Sequence, residues 1–138
     1  MKLNLKKTDL LAIDAHALEN FPQECCGLLF GKFGENSIEV KNAAKAENVL
    51  GSTVSFEADP EFVFKAVEHA EKVGLELVGI YHSHPNVGAH TSARDSEVMK
   101  LWPGVAWLIL CVKKNQVIER KAYVLKNDDI KEMEVEVR

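Results

Sequence analysis

Apolar residues Leu10, Ile13, Ala17, Leu18 and Phe21 recur at three- and four-residue spacing, which predicts an amphipathic helix that Thr8 caps and Pro22 stops. A continuous apolar run over 25–30 follows, closed by Gly31 and Gly34, and a second run over 37–43 gives it a hairpin partner. Residues 44–55 are polar and irregular, with a short strand expected at 55–57. Asp59-Pro60 reads as an N-cap followed by proline at the first helical position. It opens a second helix to about residue 73, with a stripe of Phe62, Ala66, Val67, Ala70 and Val73 and with Gly74 as its stop. Residues 75–81 predict a central strand that leads into His82-Ser83-His84-Pro85, so these polar residues follow its C-terminal end. Beyond a loop at 86–91, Ser92-Ala93-Arg94-Asp95 opens a third, short helix ending near 103–104. Strands at 105–112 and 117–125 pair across a turn at 113–115, and Met133, Val135 and Val137 alternate with charged residues as a half-exposed last strand. Helices and strands interleave along the whole chain, which gives an α/β (α+β) class. No linker or internal repeat divides it.

Length and charge narrow the functions open to such a chain. At 138 residues one core and a single domain over 1–138 are expected, and an eight-stranded α/β barrel, which takes about 250 residues, is excluded. Seventeen basic residues against 21 acidic ones leave a net charge of −4 with no run of like charge, so no nucleic-acid partner is expected. The longest apolar run, 105–112, is far short of the ~20 residues of a membrane span, so no membrane partner is expected either. Lys6-Lys7 and the apolar residues after them superficially resemble a signal peptide, but Asp9, Asp14 and Glu19 interrupt the stretch, and a cytoplasmic location is expected. Cys25, Cys26 and Cys111 are an odd set without CxxC spacing, which implies buried thiols and no disulfide framework.

The candidate chemistry lies around the second half of the central strand. His82 and His84 are two apart, so in an extended chain both imidazoles project from one face. A catalytic zinc site takes three protein ligands and leaves one position open. Asp95, in the first turn of the following helix, is the natural third ligand. His90 competes by residue type, but nothing fixes its direction. Ser92 and Asp95 also match a capping box, an ordinary structural role for the same pair.

His82-Ser83-His84-Pro85, six residues, then Ser92-Ala93-Arg94-Asp95 resembles the H-x-H-P, six residues, S-x-x-D signature of the JAMM (MPN-plus) zinc metalloproteases at every fixed position. The segment from Pro22 through Glu24-Cys25-Cys26-Gly27 to Gly31 is similar to the family's upstream block, and its Glu-Cys-Cys-Gly resembles the small stand-alone prokaryotic members. The resemblance implies a mixed β-sheet flanked by helices, related to the cytidine-deaminase-like folds. It implies one Zn²⁺ per chain held by His82, His84 and Asp95, with Glu24 as general base and acid and Ser92 as oxyanion donor. Its implied substrate is a ubiquitin-like or sulfur-carrier protein, cut at a peptide or isopeptide bond after a Gly-Gly tail laid beside a sheet edge. Residues 44–55 and 86–91 are the short loops left to grip it, which implies weak or partner-assisted binding. The last strand and the hairpin at 25–43 are expected to offer edges for a homodimer. A non-catalytic MPN-type scaffold is the alternative, although such scaffolds lack ligands that this chain carries. A nucleobase deaminase would need H-x-E and P-C-x-x-C, and neither is present.

Overall fold

A computed structural model describes residues 1–52, 57–89 and 91–138. The strand expected at 55–57 lies, apart from Glu57, outside the described residues, and so does His90. The elements run β1 (Lys2–Leu5), α1 (Lys7–Asn20), β2 (Cys26–Phe33), β3 (Ser37–Ala46), α2 (Pro60–Lys72), β4 (Glu76–Pro85), α3 (Ala93–Met99), β5 (Ala106–Lys113), β6 (Gln116–Lys126) and β7 (Asp129–Val137). The mixed sheet closes into a barrel in the order β1-β3-β2-β4-β5-β6-β7, with β7 returning to β1.

Closure corrects two expectations. The hydrophobic pattern predicts no strand at β1, because it has only Leu3 and Leu5 around Asn4, and its partners β3 and β7 arrive from far along the chain in parallel register. By pairing with both, β1 takes up flanks of the hairpin and of the last strand that were expected to be open edges.

Side-chain alternation sorts the core into two clusters. On β5, Ala106, Leu108, Leu110 and Val112 join Leu3, Leu29, Ile38, Val78 and Tyr81, while Trp107, Ile109 and Cys111 join Leu28, Phe30, Ile80 and Met99. Helix α1 covers the first cluster with Leu10, Ile13 and Ala17, as its spacing predicts. Thr8 is not its cap: it lies inside the first turn, Lys6 holds the cap position, and the Lys7 N–H donates to the Arg138 carbonyl at 2.8 Å. Helix α2 is capped by Asp59, whose Oδ1 accepts the Glu61 N–H at 3.1 Å, with Pro60 next to it. It covers the second cluster through Val63, Ala66, Val67 and Ala70, whereas Val73, expected in that stripe, is exposed at the C-cap. Gly74 follows at φ +78°, where a β-carbon is disfavoured, and the Leu75 N–H returns to the Ala70 carbonyl. Helix α3 ends at Met99, earlier than expected, and turns carry the chain to β5.

Gly27 pairs with Tyr81 across β2 and β4, and a β-carbon there would overlap the Tyr81 ring. That ring is buried and its hydroxyl is 2.7 Å from His16 Nδ1, so it has no room to withdraw. Gly27→Ala is therefore expected to destabilise the fold by about 1–3 kcal/mol, read as a lower urea midpoint at unchanged slope.

Candidate metal centre and active site

Strand β4 is hydrogen-bonded to β2 on one side and β5 on the other. The pairing with β5 runs on through Pro85, so the two histidines lie within the strand rather than after it. An extended backbone puts Ile80, His82 and His84 on one face, and Ile80 belongs to the cluster under α2 and α3. His82 is fully buried, with its ring edge against Trp107 at a centroid distance of 5.8 Å.

Helix α3 brings Asp95 to the same point. His82 Nε2 lies 3.1 Å from Asp95 Oδ1, His84 Nε2 lies 3.1 Å from Asp95 Oδ2, and the two Nε2 atoms are 3.0 Å apart. The capping box is present as well: Ser92 Oγ accepts the Asp95 N–H at 3.0 Å and Asp95 Oδ2 accepts the Ser92 N–H at 2.9 Å. The box sets the helix start so that the aspartate faces the histidines, which makes the structural and chemical readings of the pair compatible.

Glu24 enters from the segment before β2. Potential ligand atoms of Glu24, His82 and His84 all lie within 4.8 Å of one another. Its main chain is pinned: the Glu24 N–H donates to the Ser52 carbonyl at 2.8 Å, and the Glu24 carbonyl accepts from Asn48 Nδ2 at 2.9 Å. The next N–H, of Cys25, donates to Ser83 Oγ at 2.8 Å.

Electrostatics separates the two carboxyl groups. Burial pushes the Glu24 pKa up to about 7, with Asp95 adding to the rise and His84 and Arg94 opposing it. Burial acts the same way on Asp95, but contacts with His82 and His84 outweigh it and hold that carboxyl well below the usual range. Burial lowers the pKa of His82 despite Asp95, whereas at His84 the effect of burial is outweighed by Asp95 and the pKa rises. The three thiols are free and buried; burial pushes Cys25 up to about 11 and Cys26 up to about 12.

The loop after the histidines is fastened by residues that the sequence did not mark. The Ala89 N–H donates to Glu119 Oε1 at 3.0 Å, and the Tyr123 hydroxyl donates to the Ala89 carbonyl at 2.9 Å. Both anchors come from β6. They fix the neighbouring Gly88 carbonyl, which lies 3.2 Å from His84 Nδ1. A carbonyl can only accept, so His84 carries a proton on Nδ1, and it is Nε2, the atom beside Asp95 and His82, that gives up its proton to leave a lone pair for an ion.

These donors fit a metal ion. Ligands about 2.05 Å from a tetrahedral zinc stand roughly 3.3 Å apart, close to the separations of the His82, His84 and Asp95 atoms. The cluster opens onto a groove of about 810 Å³. Glu24, His84, Ser92 and Asp95 line its polar part, and Val63, Leu77, Ile80, Leu101 and Trp102 its apolar part.

A small mixed barrel with a two-histidine, two-carboxylate cluster in a groove defines an α+β domain with a candidate metal centre. The chain belongs to the prokaryotic homologs of the JAB domain, whose family model matches residues 7–125. It is 47% identical over 102 residues to a desampylase of Pyrococcus furiosus, covering 74% of this chain and 66% of that protein. It is 37% identical over 89 residues to a desampylase of Haloferax volcanii, covering 64% and 62%. A probable TtuB-protein conjugate cleaving protease of Thermus thermophilus is 39% identical over 82 residues, covering 59% and 52%. The matches thus span between about half and two-thirds of the length of these relatives. Among solved structures, a protein from Desulfitobacterium hafniense superposes with a TM-score of 0.86 at 28% identity, covering 100% of this chain and 93% of that one.

Proposed function

We propose that this chain is a zinc-dependent isopeptidase that hydrolyses a peptide or isopeptide bond after the Gly-Gly tail of a ubiquitin-like or sulfur-carrier protein. The observation that carries the reading is the convergence of His82 and His84 Nε2 with both Asp95 oxygens at 3.0–3.1 Å, beside Glu24 and at the end of a groove. The relatives named as desampylases and as a conjugate-cleaving protease support the substrate class. The retained donor set favours an enzyme over a scaffold.

His82, His84 and Asp95 would hold the ion, one per chain, with His84 presenting Nε2 because Nδ1 is committed to Gly88. Asp95 stays ionised beside two imidazoles, which suits a ligand, while Glu24 titrates near neutrality, which suits proton transfer. A bound zinc supplies Lewis acidity and lowers the pKa of coordinated water to about 7. Glu24 takes the proton of the attacking water and returns it to the leaving amine. Ser92 uses a lone pair on the Asp95 N–H, so its hydroxyl hydrogen remains to donate to the oxyanion. The substrate tail lies in the groove, with its glycines beside Glu24 and Ser92.

The test is cleavage of a Gly-Gly-tailed carrier protein joined to a lysine side chain, followed with and without a chelator. Turnover that chelation stops and zinc restores is expected; cleavage indifferent to chelation would sink the proposal. The β6 anchors give a second prediction. Tyr123→Phe removes one of the two anchors that fix Gly88 and is expected to weaken zinc affinity by about tenfold, measured by competition with a chromophoric chelator. The metal-free melting temperature separates that effect from a general loss of stability.

A further inference from the structure

Glu24 is the one member of the cluster carried by neither a strand nor a helix, yet proton transfer needs its carboxyl placed as closely as the others. We propose that Asn48 is the positioning residue that sets the Glu24 backbone, an inference that rests on Glu24 being the proton carrier. Three main-chain groups around the Glu24 Cα are pinned: its N–H by the Ser52 carbonyl, its carbonyl by Asn48 Nδ2, and the N–H of the same following peptide unit by Ser83 Oγ. Two planar peptide units held at these points fix both backbone torsions of Glu24, and only its side-chain torsions remain.

The Asn48 amide cannot be turned over without loss. Its Oδ1 accepts the N–H groups of Leu50 at 3.2 Å and Glu57 at 3.1 Å, so Nδ2 must face the Glu24 carbonyl. The backbone around it is braced in the same way: Asn48 bridges Ala58, and the Val49 N–H donates to the Glu57 carbonyl at 2.9 Å. Glu57 and Ala58 also line the groove. One side chain therefore ties the wall of the groove to the proton carrier.

The discriminating variant is Asn48→Asp, which keeps both acceptor contacts and the shape, loses the donor and sets an oxygen against the Glu24 carbonyl. Amide hydrogen exchange of the metal-free protein is expected to quicken by about tenfold or more at Glu24 and Cys25, and no further into the barrel than the Ser83 N–H that the Cys25 carbonyl accepts, since a local opening exposes only this segment. With zinc bound and a Gly-Gly-tailed sulfur carrier bearing a C-terminal aminocoumarin amide as probe, kcat is expected to fall about 10–100-fold, as expected for misplacement by a fraction of an ångström to one ångström. KM and zinc content should stay as in wild type. Unchanged exchange at Glu24 and Cys25 overturns the proposal whether or not the probe is cleaved, and so does exchange that rises throughout the barrel. Wild-type kcat in Asn48→Asp beside a dead Glu24→Ala refutes Asn48 alone. Full turnover by Glu24→Ala instead refutes the reading of Glu24, while exchange still decides whether Asn48 pins the segment.

Discussion

Glu24→Gln is expected to lower turnover of a Gly-Gly conjugate about 10²–10⁴-fold while the protein still binds one zinc. The amide has the shape of the carboxyl but cannot accept a proton from water near neutral pH. Each histidine Nε2 lies 3.1 Å from one Asp95 oxygen and the two Nε2 atoms are 3.0 Å apart, whereas Glu24 belongs to a looser set within 4.8 Å. If Glu24 were instead a ligand, the variant would lose metal and activity together, so zinc content measured beside turnover decides between the roles. Stability offers a second signature. The folded Glu24 pKa of about 7 lies above its ordinary 4.5, so the native state holds the extra proton between those values. Metal-free protein should therefore lose stability as pH rises from 4.5 to 7, by up to about 3 kcal/mol. Glu24→Gln has no charge to bury, and its metal-free form should be the more stable one at pH 8.

The sequence reached the site by two local regularities. His82 and His84 at a spacing of two share a face wherever the chain is extended, and Ser92 with Asp95 builds a helix start from adjacent residues. Both are properties of a few neighbouring positions, and the structure has both. The supports of the site are different in kind. Asn48 reaches Glu24 across 24 residues, and Tyr123 reaches Ala89 across 34. No periodicity announces such contacts, since an asparagine in a polar stretch and a tyrosine in a strand look ordinary until the barrel closes. The same holds for β1, whose Leu3 and Leu5 are buried only because β3 and β7 arrive on either side. Thr8 has no capping work to do because the helix start is met by the Arg138 carbonyl, from residues far along the chain.

His84→Ala is expected to abolish both zinc binding and turnover, with metal content falling from about one per chain to about none. Nδ1 faces the Gly88 carbonyl, itself fixed by Glu119 and Tyr123, so Nε2 is the nitrogen left beside Asp95 and His82 to ligate once it is deprotonated. Alanine leaves one imidazole and a carboxylate, too few protein ligands for a catalytic zinc site. Acid should reproduce the effect in wild type, because only neutral imidazole ligates and protons compete for the same lone pair. Asp95 raises the pKa of His84 while burial lowers that of His82, so His84 is the first to be protonated as pH falls. Zinc retention and turnover should therefore fall together on the acid side, each recovering when pH is restored. A flat activity profile down to pH 4, or full zinc content in His84→Ala, would remove the histidine pair from the metal site and leave the cluster as a buried ion-pair network.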